Sequence, residues 1–424
     1  MKIQLPYGKN HLEFDLPEDC RSVLIEPMFI PTLADPVGSL QTAIRNPIGS
    51  PALCSLVHSN DRVGIIFNDI TRATPNRLIL QVLLQELAQV PAANITLFNA
   101  LGTHRPNTPD ELRQMLGDDL VDSYRIVQNN AFDPATLIHL GATRKGHEIW
   151  LNRELWECNV KILTGFIEPH FFAGFSGGGK AIMPGMAGLT TILGNHGAPM
   201  IADPNAAWGR TLGNPIFEEV LEIAQKVRGT FLVNVTLNKY KDITGIFSGS
   251  LQAAHAAGCE TVKAAALAPV AEPFDIVITT NSGYPLDINL YQSVKGMSAA
   301  AQVVKPGGAI ILAAECPDGI PEHGCYGSLL QGRQGPQQVL DDILALPKPC
   351  LDQWQAQVQA LIQLKADVYV YSNNLSDAQI HSTLLRPCRS IETTLAELLA
   401  KYGPQARVCL LPEGPQTIPY LTSL

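Results

Sequence analysis

Short runs of β-branched and apolar residues alternate along this chain with loops and with longer stretches of helical periodicity. Residues 62–67 read as a buried strand, and residues 77–87 follow as an amphipathic helix with apolar positions three and four apart. Residues 94–99 give the next strand. Thr108 and Pro109 mark a helix start, a capping hydroxyl before a first-turn proline. Residues 160–165 are a third strand. Residues 264–273 read as a helix end and an interdomain linker, after which the pattern restarts. A strand at 275–280, a turn at 281–285, a helix over 290–303 and a strand at 309–314 follow, with further strands at 367–372 and 407–412. The predicted fold class is α/β, with two α/β domains, mainly parallel sheets and an active-site cleft between them. Residues 1–268, rejoined by 400–424, form the expected cofactor-binding domain, and residues 274–399 form the second.

Three of the strands deliver polar clusters just beyond their C-terminal ends, where ligands bind in open parallel sheets. The first cluster is Asn68-Asp69-Ile70-Thr71-Arg72, the second Gly102-Thr103-His104-Arg105-Pro106, and the third runs from Glu168-Pro169-His170 to Lys180. In the third, Ser176-Gly177-Gly178-Gly179 precedes the lysine. Successive backbone N–H groups in such a loop make an anion nest, and Lys180 adds a charge or an amine nucleophile. Phe171, Phe172 and Phe175 mark the loop as packed, since a flexible linker is polar.

Composition narrows the function classes. The 424 residues are 46% hydrophobic and 16% charged, with a net charge of −9, which argues against a nucleic-acid binder. No apolar run reaches the ~20 residues of a membrane span, and the N-terminus lacks the apolar core of a signal peptide. Nine scattered cysteines with no C-x-x-C pair fit a reducing cytoplasm, the expected location.

Gly174 to Lys180 has the G-x-x-x-x-G-K spacing of a phosphate loop, which raises a nucleotide-binding kinase or NTPase as an alternative. Ala181, however, stands where magnesium needs a hydroxyl. A plain packing role for the glycines, with a solvated lysine, is the blander alternative. His104, His170 and His196 each lie in a loop bracketed by glycine or proline, a setting that suits ligand or acid–base work. Arg72 is suited to fork a carboxylate or phosphate. Tyr291 and Lys295 lie one helical turn apart and share a face, so Lys295 offers a second cation from the other domain.

Taken together, these clusters with Gly194-Asn195-His196 and Tyr291-Gln292-x-x-Lys295 resemble the nickel-pincer-dependent lactate racemase family over nearly the whole chain. The resemblance implies a nickel-pincer nucleotide, a pyridinium-3-thioamide-5-thiocarboxylic acid mononucleotide, joined covalently to Lys180, with His196 completing the nickel coordination. It implies His104 and His170 as paired acid/base groups on opposite sides of the substrate. Arg72, Tyr291, Gln292, Lys295 and Trp354 are the implied substrate-binding residues, and Asp69, Thr71, Ser176, Gly177 and Gly178 the implied cofactor contacts. The implied reaction is racemisation of a small 2-hydroxy acid by proton-coupled hydride transfer, with lactate the default substrate and cofactor-synthesis enzymes as transient partners. Malate is the alternative, for which Arg105, Arg144 or Arg210 would supply the additional cation. A sensor that binds without turnover has no need of two acid/base histidines.

Overall fold

The computed structural model describes residues 1–322 and 324–422. Two six-stranded sheets form its frame. In the first, the strands run in the order Ile243–Gly249, Thr230–Leu237, Val160–Phe166, Val63–Asn68, Ile95–Ala100 and Arg125–Gln128, all parallel except the first. In the second, Arg386–Pro387, Ala366–Tyr371, Val304–Ala313, Phe274–Thr280, Arg407–Leu411 and Arg21–Leu24 are parallel throughout. The α/β class with mainly parallel sheets is therefore observed.

Burial explains why the central strands are continuous apolar runs. Val63 to Phe67 is buried at every residue because helices cover both faces of a parallel sheet. On one face Leu40, Ile79 and Leu83 pack against Ile65 and Phe67; on the other, Met186, Val220 and Ile223 belong to the core that contains Ile66 and Phe98. The predicted helix start is also found. Thr108 Oγ1 accepts from Glu111 N at 3.2 Å, and Glu111 accepts from Thr108 N at 2.8 Å, a reciprocal cap on the helix Pro109–Leu116.

The chain ends differ from expectation. Strand Arg21–Leu24 extends the second sheet beside Arg407–Leu411, and the antiparallel pair Lys2–Tyr7 and Asn10–Asp15 buries Leu5 and Phe14 with Ile276 and Leu410. Residues 2–15, 21–24 and 407–411 thus pair or pack with the second sheet rather than the first. The expected linker at 264–273 is also structured: its helix runs through Ala266, and Leu267–Val270 pairs in parallel with Ile418–Leu421. Pairing with a strand about 150 residues distant leaves no local periodicity to read.

Each sheet has a point where the strand order turns back on itself. In the first sheet it falls between Val63–Asn68 and Val160–Phe166, and in the second between Phe274–Thr280 and Arg407–Leu411. The connections leaving such adjacent strands diverge to opposite faces, opening a crevice at the C-terminal strand ends. Residues from the loops at the first crevice and from the helix that leaves strand Phe274–Thr280 at the second line one cleft.

Candidate active site

Each loop places its polar groups through local interactions. After Val63–Asn68, Asp69 is buried with its carboxylate 2.6 Å from His104 Nδ1, and Thr71 Oγ1 donates to its other oxygen at 2.7 Å. Burial alone pushes the Asp69 carboxyl upward, but His104, Arg72 and Thr71 outweigh it and hold the group below the ordinary value. An ionised Asp69 accepts, so His104 Nδ1 carries a proton and, in the neutral ring, Nε2 presents a lone pair. Gln292 Nε2 lies 3.4 Å from that Nε2.

His170 is held in the opposite sense. The N–H of Ala173 donates to His170 Nδ1 at 3.2 Å, so in the neutral ring Nε2 bears the proton. Its ring stacks on Phe171 and meets Phe172 edge-on. Burial, then Lys180, Lys295 and Arg72, drive its pKa well below the usual histidine value. The two histidines of one cleft therefore expose different atoms: a lone pair on His104 and an N–H on His170.

The glycine turn forms a single 3-10 turn, Gly178–Ala181, separated from strand Val160–Phe166 by the short pair Pro169–His170 and Gly174–Phe175. A phosphate loop instead runs from strand directly into helix, so the nucleotide-hydrolase alternative loses its geometry. Gly174 has φ +75°, and a Cβ there would lie 2.1 Å from the Arg210 carbonyl oxygen, which admits only glycine. Lys180 Nζ makes no hydrogen bond among the described residues and lies 5.8 Å from the Phe172 ring centre. Burial and the nearby Arg72 bring its pKa down to about 7. His196, at the end of helix Leu189–Asn195, sits in an aromatic box with Phe172 and Trp354, each ring centre 5.1 Å away. Its Nδ1 is fully buried with no partner among the described residues.

From the second sheet, helix Leu290–Ala301 brings Tyr291, Gln292 and Lys295. Asn289 caps it by accepting from the Gln292 N–H at 2.9 Å, fixing the first turn. Gly296 lets the helix press on the strand end, since a Cβ there would meet the Thr280 carbonyl oxygen at 2.3 Å. Lys295 Nζ donates to Gln292 Oε1 at 2.7 Å, and burial depresses its pKa to about 7. Trp354 Nε1 donates to the Tyr291 hydroxyl at 2.8 Å.

The cleft thus unites Asp69, Arg72, His104, His170, Ser176, Gly177, Lys180, His196, Tyr291, Gln292, Lys295 and Trp354. Two of the residues named from sequence stand apart from it. Thr71 faces an outer vestibule, and the Gly178 N–H is already given to Asn234 Oδ1 at 2.8 Å. The Ser176 hydroxyl is likewise engaged, donating to the Phe166 carbonyl and accepting from the Glu168 N–H, both at 3.0 Å. The inner cleft encloses about 110 Å³ and the vestibule about 480 Å³; Asp69, His104, Tyr291 and Gln292 line both. Arg105 is committed elsewhere, to both oxygens of Glu111 and to Asp318, while Arg144 and Arg210 are exposed away from the cleft. Sequence reasoning gave no role to the Glu168 carboxylate, which accepts from Arg72 at 3.2 Å and from Gln416 at 2.8 Å. Its place beside Pro169 and His170 was the available signal; Gln416 had none.

Comparison with known proteins identifies relatives of the whole chain. Residues 7–209 match the lactate racemase N-terminal domain and residues 270–418 the lactate racemase C-terminal domain. The lactate racemase of Thermoanaerobacterium thermosaccharolyticum is 34% identical, with 98% of each chain covered. That of Lactiplantibacillus plantarum is 36% identical over 89% of each chain. The structure of the Thermoanaerobacterium thermosaccharolyticum lactate racemase apoprotein superposes with a TM-score of 0.90, covering 99% of this chain and 100% of the other. A Thermotoga maritima protein, 15% identical with a TM-score of 0.67 over 91% of this chain and 97% of its own, shares the fold. Through matches to both of its domains and to full-length relatives, the chain belongs to the lactate racemase family.

Proposed function

We propose that this isomerase interconverts the enantiomers of lactate, using a nickel-pincer nucleotide tethered to Lys180. The observation that carries the reading is the pairing of two differently poised histidines in one cleft with an unpaired amine and an unpaired imidazole. Among the described residues no three His, Cys, Asp or Glu side chains converge as a metal site. A metal held through His196 then needs ligands that arrive with it, which suits a prechelated ion. Lys180, lowered to about 7, supplies the free amine that attachment of such a group requires. When bound, the nucleotide supplies a hydride acceptor and donor.

The chain's own residues supply the rest. Arg72 holds the substrate carboxylate through N–H groups not used by Glu168. His104 Nε2 takes the hydroxyl proton, and Asp69 stabilises the resulting imidazolium. Gln292 and Lys295 then face the carbonyl oxygen, whose developing charge they stabilise. His170 serves the opposite face. Charged by a proton from solvent, it is a strong acid because its pKa is suppressed and gives that proton to oxygen, while His104 afterwards releases to solvent the proton it took. Phe171, Phe172 and Trp354 exclude water from the keto acid. Two such groups are what a racemase needs; one suffices for a dehydrogenase.

Among the described residues no helix is long and apolar enough to cross a membrane. We place the enzyme in the cytoplasm, where the enzymes that make the nucleotide would engage it transiently. Intact mass and metal analysis of protein made alongside those enzymes tests the tether: a nickel-bearing adduct on Lys180 supports it, and loaded, active protein without one sinks it. Racemisation in D₂O tests the hydride route, which leaves C2 unlabelled; substantial deuterium at C2 would overturn it.

A further inference from the structure

Glu168 is 3% exposed and does not line the cleft. Its carboxylate has one partner from each half of the molecule. Oε1 accepts from Arg72 Nη1 at 3.2 Å, and Oε2 accepts from Gln416 Nε2 at 2.8 Å. Its backbone is fixed as well: the N–H donates to Ser176 Oγ at 3.0 Å, and the carbonyl accepts from Ser176 N at 2.9 Å. Glu168 is thus a rigid post.

Gln416 lies on the turn Gly414–Gln416, which follows strand Arg407–Leu411 at the turning point of the second sheet. That turn packs on helix Leu290–Ala301, closely enough that a Cβ on Gly414 would approach Gly296 Cα to 3.1 Å. Glu168 follows strand Val160–Phe166 at the turning point of the first sheet. The Glu168–Gln416 bond therefore joins the two crevices directly, and its far end touches the helix that carries Gln292 and Lys295.

We infer that Glu168 is a positioning residue, held by Gln416, that fixes the Arg72 guanidinium for the substrate carboxylate. The inference rests on the reading that Arg72 binds that carboxylate. Arg72 spends a single N–H on Glu168, leaving its other donors for a planar partner. Without the post, a long guanidinium side chain samples several rotamers, and ordering it is charged to binding. The Glu168 charge also opposes the depression of the Lys180 and Lys295 pKa values, so it moderates a cationic cleft. A purely structural ion pair would stabilise the fold without touching substrate affinity.

The test is steady-state racemisation of L-lactate by the cofactor-loaded enzyme. Glu168→Gln is expected to raise KM about tenfold, with kcat within about threefold of wild type. Gln416→Leu is expected to raise KM in the same direction by about threefold. In an Arg72→Ala background, Glu168→Gln should raise KM no further, because the two residues act as one unit. If Arg72→Ala leaves KM unchanged, the carboxylate reading of Arg72 fails and takes the inference with it. If Arg72→Ala raises KM but Glu168→Gln lowers only thermal stability, the positioning role alone is overturned. Should Glu168→Gln not fold, Gln416→Leu decides: a wild-type KM overturns the inference.

Discussion

His104 Nδ1 and Asp69 Oδ2 lie 2.6 Å apart, joining the loops that follow two neighbouring strands of the first sheet. The contact fixes the ring and its tautomer together, leaving Nε2 as the basic atom toward the cleft. Replacing the carboxylate with an amide keeps the shape and removes the charge that stabilises the imidazolium. Asp69→Asn should lower kcat by on the order of 10²- to 10⁴-fold, with a smaller change in KM. Initial rates with both enantiomers check this, and a kcat near wild type would separate Asp69 from the acid–base step.

Substrate choice follows from which arginines are free. Arg105 lies on the vestibule wall bound by Glu111 and Asp318, and Arg144 and Arg210 lie outside the cleft, so none of the cations suggested for malate lines the inner cleft. The second carboxylate of malate would enter a cleft whose Arg72 is already engaged by the first and whose Lys295 faces the reacting oxygen. Burying a charge without a partner is costly, so kcat/KM for malate should fall at least about 10²-fold below that for lactate. Competition between the two substrates in one reaction measures the ratio directly.

The difference between Arg105 and Arg72 also shows how far the sequence could be read. Both follow a strand end, and both have the chemistry to bind an acid. Sequence places the loops, because a five-residue apolar run followed by polar residues is a local signal; it carries no record of Glu111 and Asp318 closing on one guanidinium. The same holds for Gly178, whose N–H goes to Asn234 on a strand more than fifty residues later. The cleft residues were legible as a set because the switch points of two parallel sheets gather their loops. The chain termini were not, since edge strands such as Arg21–Leu24 are short and pair only with distant segments.

Lys295 donates to Gln292, and Gln292 approaches His104, so one ammonium orders a chain of donors reaching the base. Truncation removes both the charge and the fixed orientation of the Gln292 amide. Lys295→Ala should raise KM and lower kcat together, reducing kcat/KM by about 10²-fold. A wild-type KM and kcat in the loaded enzyme would dismiss the idea that the second sheet clamps the substrate oxygens.

Lys180 gives a pH dependence whose sign is fixed by the direction of its shift. Its pKa falls from the ordinary 10.5 to about 7 in the fold, chiefly through burial and then through Arg72. Between those values the unfolded chain binds the additional proton, so this group's contribution to stability rises with pH across that window. Below pH 7 its full destabilising effect is present. Lys180→Met should therefore be more stable than the cofactor-free wild type at pH 6, by about 1–2 kcal/mol, with the advantage shrinking as pH approaches 10. Denaturant titrations at both pH values measure the difference, and a constant advantage would mean that the amine is not depressed. The same shift puts Lys180, together with Lys295, among the lysines that react at the lowest pH. Acylation of the cofactor-free protein, followed by peptide mass spectrometry, should show Lys180 modified with a half-maximal rate near pH 7, below the range in which exposed lysines deprotonate.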